Sequence, residues 1–432
     1  MKKIALFCAL FFWVKTISAQ QRLTFQQIGQ QFVDSVKAFE LPPLQLAYTE
    51  NLKAISNQSA IERQTSFFKN VSKQLSHVKI EELGKKELID YKLMQYETNL
   101  NLERLALEKK WVANKPDSIT KNGLNQLKNG KEWYAYFLKK WVASAITPEQ
   151  IYKLGLAEID RVNNQIEVIR LKTGYSDEQF YNYLNDSSFF VNDETTIAKL
   201  FDHAKTTIQG NLSTIFNQQS IPDLKIERGK NNALVQAPGY YDENTFYFNF
   251  YDKPYCKRQI DWLFIHEGIP GHHYQISIEG ALKESAIQQL FWYPGYSEGW
   301  AAYTEELGKE LGVYKTIYDE LGKWEWDIVR SVRVPLDVGI NYYGWSDEQA
   351  LAFWKKYIKN QDAIAMREIN RIKRWPAQVV TYKYGAGEIL QWKQLLQRKE
   401  GVNFDIRNFH DKILNNGSLP FSLLESLLNL SE

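Results

Sequence analysis

Apolar residues recur every three to four positions along most of this chain, with charges between them, which is the spacing of one buried helix face. The stretch from Ile80 to Trp111 has no proline and sets Leu83, Leu88, Leu93, Leu100 and Leu105 at near-helical intervals, so it predicts one long helix. Thr147-Pro148-Glu149-Gln150 reads as a helix start, with Thr as cap, Pro at the first helical position and acid in the first turn. That helix should run through Ile151, Leu154, Ile159, Val162 and Ile166 to about Leu171. Thr173-Gly174-Tyr175-Ser176 then breaks the pattern, and Ser176-Asp177-Glu178-Gln179 starts another helix. The period changes between about Ala233 and Tyr255. Ala237-Pro238-Gly239-Tyr240-Tyr241 and Thr245-Phe246-Tyr247-Phe248-Asn249-Phe250 are rich in Tyr and Phe around a Gly/Asp/Asn turn, a composition that favours strands. The expected fold is mostly α, multi-helical, with a small β-sheet or hairpin. No repeat and no low-complexity linker interrupts it.

The first residues carry a different pattern. Lys2 and Lys3 precede an apolar run of eleven residues, Ile4 to Val14, and Ile17-Ser18-Ala19 offers a small-residue cleavage site before Gln20. The run is short of the roughly 20 apolar residues a membrane span needs. Cys8 lies inside it, where the lipidated cysteine of a lipoprotein would follow it. The expectation is a signal peptide over residues 1–19, an exported periplasmic or secreted protein, and no stable membrane insertion once the signal is removed.

Composition then sets limits. Without Cys8, only Cys256 remains, so no intrachain disulfide can form and the fold must rest on its core. Without Lys2, Lys3 and Lys15 the chain holds 50 basic and 51 acidic residues. A charge near zero implies neither nucleic acid nor an anionic membrane as partner. We divide the chain into a helical region over residues 20–220 and a metal-binding catalytic region over residues 221–432, packed as one continuous unit. Oligomeric state is not written in these features.

The densest chemistry lies in His266-Glu267-Gly268-Ile269-Pro270-Gly271-His272-His273, which holds three of six histidines. Catalytic zinc takes imidazole and carboxylate ligands and leaves one position open for water, from which a neighbouring glutamate removes a proton. The common zinc helix places its histidines at i and i+4. Here position 270 is proline, and the next imidazoles lie about 9 and 10.5 Å along a straight helix from His266. The backbone must therefore bulge at Pro270-Gly271, which would bring His272 to the place of the usual second ligand. His272 is the favoured ligand and His273 the competitor. Buried structural histidines are the plain alternative.

The third ligand should come from a following helix starting at Ser297, after the turn Tyr293-Pro294-Gly295-Tyr296. Glu298 and Glu305 stand seven apart on one face, so Glu298 is expected on the metal and Glu305 behind a ligand. Gly299 is expected to let this helix approach the metal helix closely, and Glu306 to point into solvent. The strand region just before the histidines could pair with extended substrate backbone, or be a plain structural hairpin.

The segments HEGIPGHHYQ and SEGWAAYTEE resemble the bacterial family called domain of unknown function 885, whose members look like relatives of gluzincin-type zinc metallopeptidases. The resemblance continues through Arg330-Ser331-Val332-Arg333, Asp337-Val338-Gly339, Gly344-Trp345-Ser346 and Gln349-Ala350. It includes Glu368, Arg371, Pro376, Gln378, Tyr382 and Gly385, and spans at least Ala237 to Trp392. It implies a two-lobed helical fold with the metal at the base of a cleft. Asn341 and Ala377 depart from it, where the family usually shows His and Gly.

An oxyanion formed from an amide carbonyl needs a donor besides the metal. Tyr382 is the first candidate, with Tyr384 and His273 as competitors. Arg371 and Arg333 could hold a substrate carboxylate or serve as structural partners of Glu368 or Asp337, and Gln378 is a further candidate, behind a metal ligand or against the substrate. The expected activity is hydrolysis of a peptide or small amide by a Zn(2+)-dependent metallopeptidase, with Glu267 as base. An amidase or deacylase acting on cell-wall or other non-peptide substrates, and a metal-binding protein without catalysis, are the alternatives.

Overall fold

The computed structural model describes residues 23–430 apart from 236, 252, 360 and 429. The expected signal peptide lies outside the described residues. Helices dominate the rest, with strands confined to one two-stranded and one three-stranded sheet. The mostly α fold follows from the pattern. Among the described residues no helix is long and apolar enough to cross a membrane.

The long N-terminal helix runs from Lys85 to Ala113, and the Ile80–Glu82 turn ahead of it is a separate short 3-10 helix. Gly84 caps the long helix and Glu87 reaches back to its amide, so the one expected helix is two elements. The Pro148–Thr173 and Asp177–Tyr183 helices begin as expected, each with a reciprocal capping box, at Thr147/Gln150 and Ser176/Gln179. Gly174 ends the first in the left-handed conformation.

Two apolar cores organise the molecule. The larger takes the N-terminal helices, the sheet region and the histidine and glutamate segments. The smaller is built from Ile159, Val162, Phe180, Trp354 and Ile369 with their neighbours. The Ile317–Val338 helix, here the arginine helix, belongs to both: Val329, Val332 and Leu336 enter the smaller core, Val334 and Val338 the larger.

Strands Gly239–Asp242 and Thr245–Phe248 pair antiparallel across a two-residue turn, Glu243-Asn244, both with positive φ, as tight hairpins require. A third strand, Lys225–Arg228, adds parallel to Thr245–Phe248 and leaves Gly239–Asp242 at the sheet edge. The sequence reading missed it because four residues with only two half-buried side chains carry almost no pattern. The sheet rests on the histidine helix through Phe246 and Phe264, whose ring centroids are 5.9 Å apart.

A candidate metal centre in an arginine-walled cleft

The first histidine helix spans Ile260–Glu267 and the second His272–Ala281. The expected bulge is a full break: the helix stops, four residues loop, and a new helix begins at the second ligand candidate. The reason is steric as well as conformational. A Cβ on Gly271 would stand 2.0 Å from the His266 carbonyl oxygen, so only glycine lets the chain double back there. Trp300 Nε1 donates to the Pro270 carbonyl at 2.9 Å and pins the loop from the next helix. The His266 and His272 rings end 4.9 Å apart.

The glutamate helix spans Pro294–Thr304, three residues longer at its start than expected, because Pro294 itself takes the first helical position. Glu298 thus sits on its first turns, facing the histidines. Its Oε2 lies 3.4 Å from His272 Nε2 and 3.7 Å from His266 Nε2. Ligand atoms of His266, His272 and Glu298 all lie within 4.8 Å of one another. Glu305, one short turn beyond the helix, meets the other side of the His266 ring at 2.8 Å from Nδ1. Arg330 in turn grips Glu305 at 2.5 and 2.7 Å. Glu298 faces the cluster and Glu305 stands behind it, as their spacing predicts.

Two expectations about this helix fail. Gly299 does not make room for the histidine helix. A Cβ there would come within 2.4 Å of Gly385 Cα, so the close approach is to the Thr381–Glu400 helix, which carries Tyr382. Glu306 is not left to solvent; it pairs with Lys323 and, at 3.6 Å, Arg161.

The charges polarise one another. Burial and Arg330 push the His266 imidazole down, but its hydrogen bonds to Glu298 and Glu305 prevail and carry its pKa to about 9. Burial would raise Glu298, yet the two histidine contacts hold it well below the usual carboxylate range. Burial lifts Glu267 above its ordinary value, partly offset by His266 and His272. Two imidazoles and a low-pKa carboxylate are a borderline-metal donor set, and the Nδ1–Glu305 contact leaves His266 Nε2 turned toward the cluster. The residues fit zinc.

Above the cluster lies a cleft of about 740 Å³, lined by elements of both cores. Glu267 lines it beside His266, and Gly239, Tyr240 and Tyr241 of the edge strand form one margin. Tyr382 donates to Glu298 Oε1 at 3.2 Å and lies near-parallel to the His266 ring. Arg371 donates to Tyr382 Oη at 3.3 Å and to Gln378 Oε1 at 2.8 Å. Arg333 meets Glu368 at 3.1 Å, while Asp337 is taken by the Ala377 amide.

Tyr384 and His273 do not join this group. The Tyr384 hydroxyl bonds Ser144 Oγ at 2.6 Å. His273 is fully buried and bonds outside the cluster of candidate ligands. Its Nε2 lies 3.0 Å from the Pro222 carbonyl, so that nitrogen carries the proton, and Nδ1 accepts from Tyr241 at 3.3 Å. With no free N–H it cannot serve as oxyanion donor, which corrects that expectation. Asn341 accepts from the Leu124 amide at 3.1 Å and Ala377 holds φ +70°, the left-handed region that suits the family's glycine. Sequence reasoning gave Arg330 no task, although its spacing of three from Arg333 puts both on one helix face.

A family model described as "Bacterial protein of unknown function (DUF885)" matches residues 104–428, well over half of the chain. The chain belongs to that family. Two solved structures are similar, both described as a "putative lipoprotein". The one from Colwellia psychrerythraea is 22% identical with TM-score 0.66, covering 94% of this chain and 74% of its own. The other, from Shewanella oneidensis and of unknown function, is 18% identical with TM-score 0.71, covering 94% of this chain and 100% of its own. No curated protein matches.

Proposed function

We propose that this protein is an exported, zinc-dependent metallopeptidase of the gluzincin type. The observation that carries the reading is the convergence of His266, His272 and Glu298 within 4.8 Å, with Glu305 held against the far side of His266. Zinc, when bound, supplies a Lewis acid and lowers the pKa of water. His266, His272 and Glu298 would hold it. Glu267, adjacent in sequence and open to the cleft, accepts the proton from the attacking water and passes it to the leaving amine. The Tyr382 hydroxyl, already a donor beside Glu298, turns its hydrogen bond to the oxyanion. An extended substrate backbone can add to the Gly239–Asp242 edge strand, which favours peptides over compact amides. Export is supported by the signal-like start of the chain and by the lipoprotein description of both similar structures.

The test is metal analysis of purified protein, followed by peptides and N-acyl amides assayed with and without chelator. About one zinc per chain and chelator-sensitive peptide cleavage are expected. Cleavage of the acyl amides alone would make it a deacylase. Bound zinc without turnover of any substrate would make it a binding protein, and no zinc after reconstitution would end the metal reading.

A further inference from the structure

Along one wall of the cleft Arg333 and Arg371 share a single acid, Glu368, which leaves an excess of positive charge among the described residues. Arg333 on the arginine helix, and Arg367, Arg371 and Arg374 on the Asp362–Arg374 helix, all line this wall. Glu368 is the acid they share: Arg333 stands 3.1 Å from it, Arg367 2.8 Å and Arg371 4.0 Å. Asp337, the next acid on the arginine helix, is occupied by the Ala377 amide at 3.0 Å from both oxygens. Arg330 is excluded from the excess, because Glu305 already matches it.

Two details of the geometry mark the excess. Arg333 is 1% exposed and its Nε–H has no acceptor among the described residues. Burial, with Arg371 and Arg330 nearby, holds its pKa below the usual arginine value despite Glu368. Among the described residues, Arg371 reaches only uncharged oxygens at hydrogen-bond distance, those of Gln378 and Tyr382. Buried cations left short of anions are costly, and planar guanidinium groups match carboxylates in pairs of parallel hydrogen bonds.

We propose that this wall is a carboxylate-binding subsite, so that preferred substrates carry a carboxylate, as a free C-terminus or an Asp or Glu side chain, close to the cleaved bond. The distance follows from connectivity. Arg371 bonds Tyr382, and Tyr382 bonds the metal-ligand candidate Glu298. A carboxylate on Arg371 is therefore within about two residues of a carbonyl at the histidine cluster, at about 3.8 Å per residue. The inference rests on the peptidase reading for the bond that is cut, but the binding it claims does not need turnover.

Calorimetric titration of chelator-treated protein lacking residues 1–19 separates the two. Three matched peptides serve as probes: a free acid, its C-terminal amide, and the amide with one Glu added. The acid is expected to bind on the order of 10–100-fold more tightly than the amide, the range of charge-assisted hydrogen bonds. Arg371→Gln should close that gap, and Arg374→Gln, at an exposed position where folding is safe, should narrow it. Tight binding of the Glu-bearing amide would assign the carboxylate to a side chain; weak binding would assign it to the C-terminus. Equal affinities of all three peptides, no measurable binding, or a preference that survives both variants would overturn the subsite. A preference with no hydrolysis under zinc would leave the subsite standing and remove the peptidase reading.

Discussion

Glu267 separates binding from chemistry. Its carboxylate is not among the three converging ligand groups, so Glu267→Gln should leave zinc content unchanged. Turnover should fall about 10²–10⁴-fold, the usual contribution of a positioned base. Near-normal rates would take the base role from it. His266 makes the opposite case. Its pKa is about 9, so at pH 7 the ring carries a proton that a bound zinc would have to displace. Because that pKa is raised, protonation competes below about 9 and fades above it. Zinc affinity should therefore climb from pH 6 to 9, and adding zinc to chelator-treated protein in weak buffer at pH 7 should acidify the solution. A flat affinity profile would show that the imidazole is not the group displaced. Both candidacies were legible in the string His-Glu-Gly-Ile-Pro-Gly-His-His, because ligand chemistry belongs to side-chain types. The preference for His272 over His273 rested on an expected bulge, and His272 reaches the cluster through a break between two helices instead. The unsuitability of His273 could not be read, since it depends on Pro222 and Tyr241, far away in sequence.

The glutamate helix and the Thr381–Glu400 helix cross at paired glycines, and that crossing brings Tyr382 to Glu298. Gly299→Val should force these backbones apart and cost about 1–3 kcal/mol of stability, as overpacking does. It should also weaken zinc, because Glu298 is the adjacent residue; urea denaturation and zinc titration on the same variant would show both. Loss of neither would mean the contact is slack. Glu305 orients His266 from the turn after the helix, and Glu305→Ala should reduce zinc affinity about 10–100-fold. An effect larger than that of Glu298→Ala would exchange their roles. Helix starts with Thr or Ser caps and the Tyr/Phe hairpin were readable because caps and turns are local chemistry. The Lys225–Arg228 strand was not, since only its parallel partner makes it a strand.

The candidate ligands His266, His272 and Glu298 stand on three separate helices, so a metal held by them would tie the loops between and should stabilise the whole fold by mass action. At zinc a thousandfold above its dissociation constant the gain is about 4 kcal/mol. Chelation should lower the melting temperature, and His266→Ala should abolish that response; an unchanged melting curve would place no metal in the native state. Pattern and composition sufficed for the mostly α architecture, the hairpin and the metal-ligand candidates, because helical period, caps and donor types are properties of short stretches. Which surfaces meet was outside their reach. That Gly299 faces Gly385 instead of the histidine helix, that Glu306 is paired with Lys323, and that Arg333 reaches Glu368 are outcomes of one helix packing against another. Burial and charge balance at such contacts depend on what the partner element brings, and a linear pattern does not contain its partner.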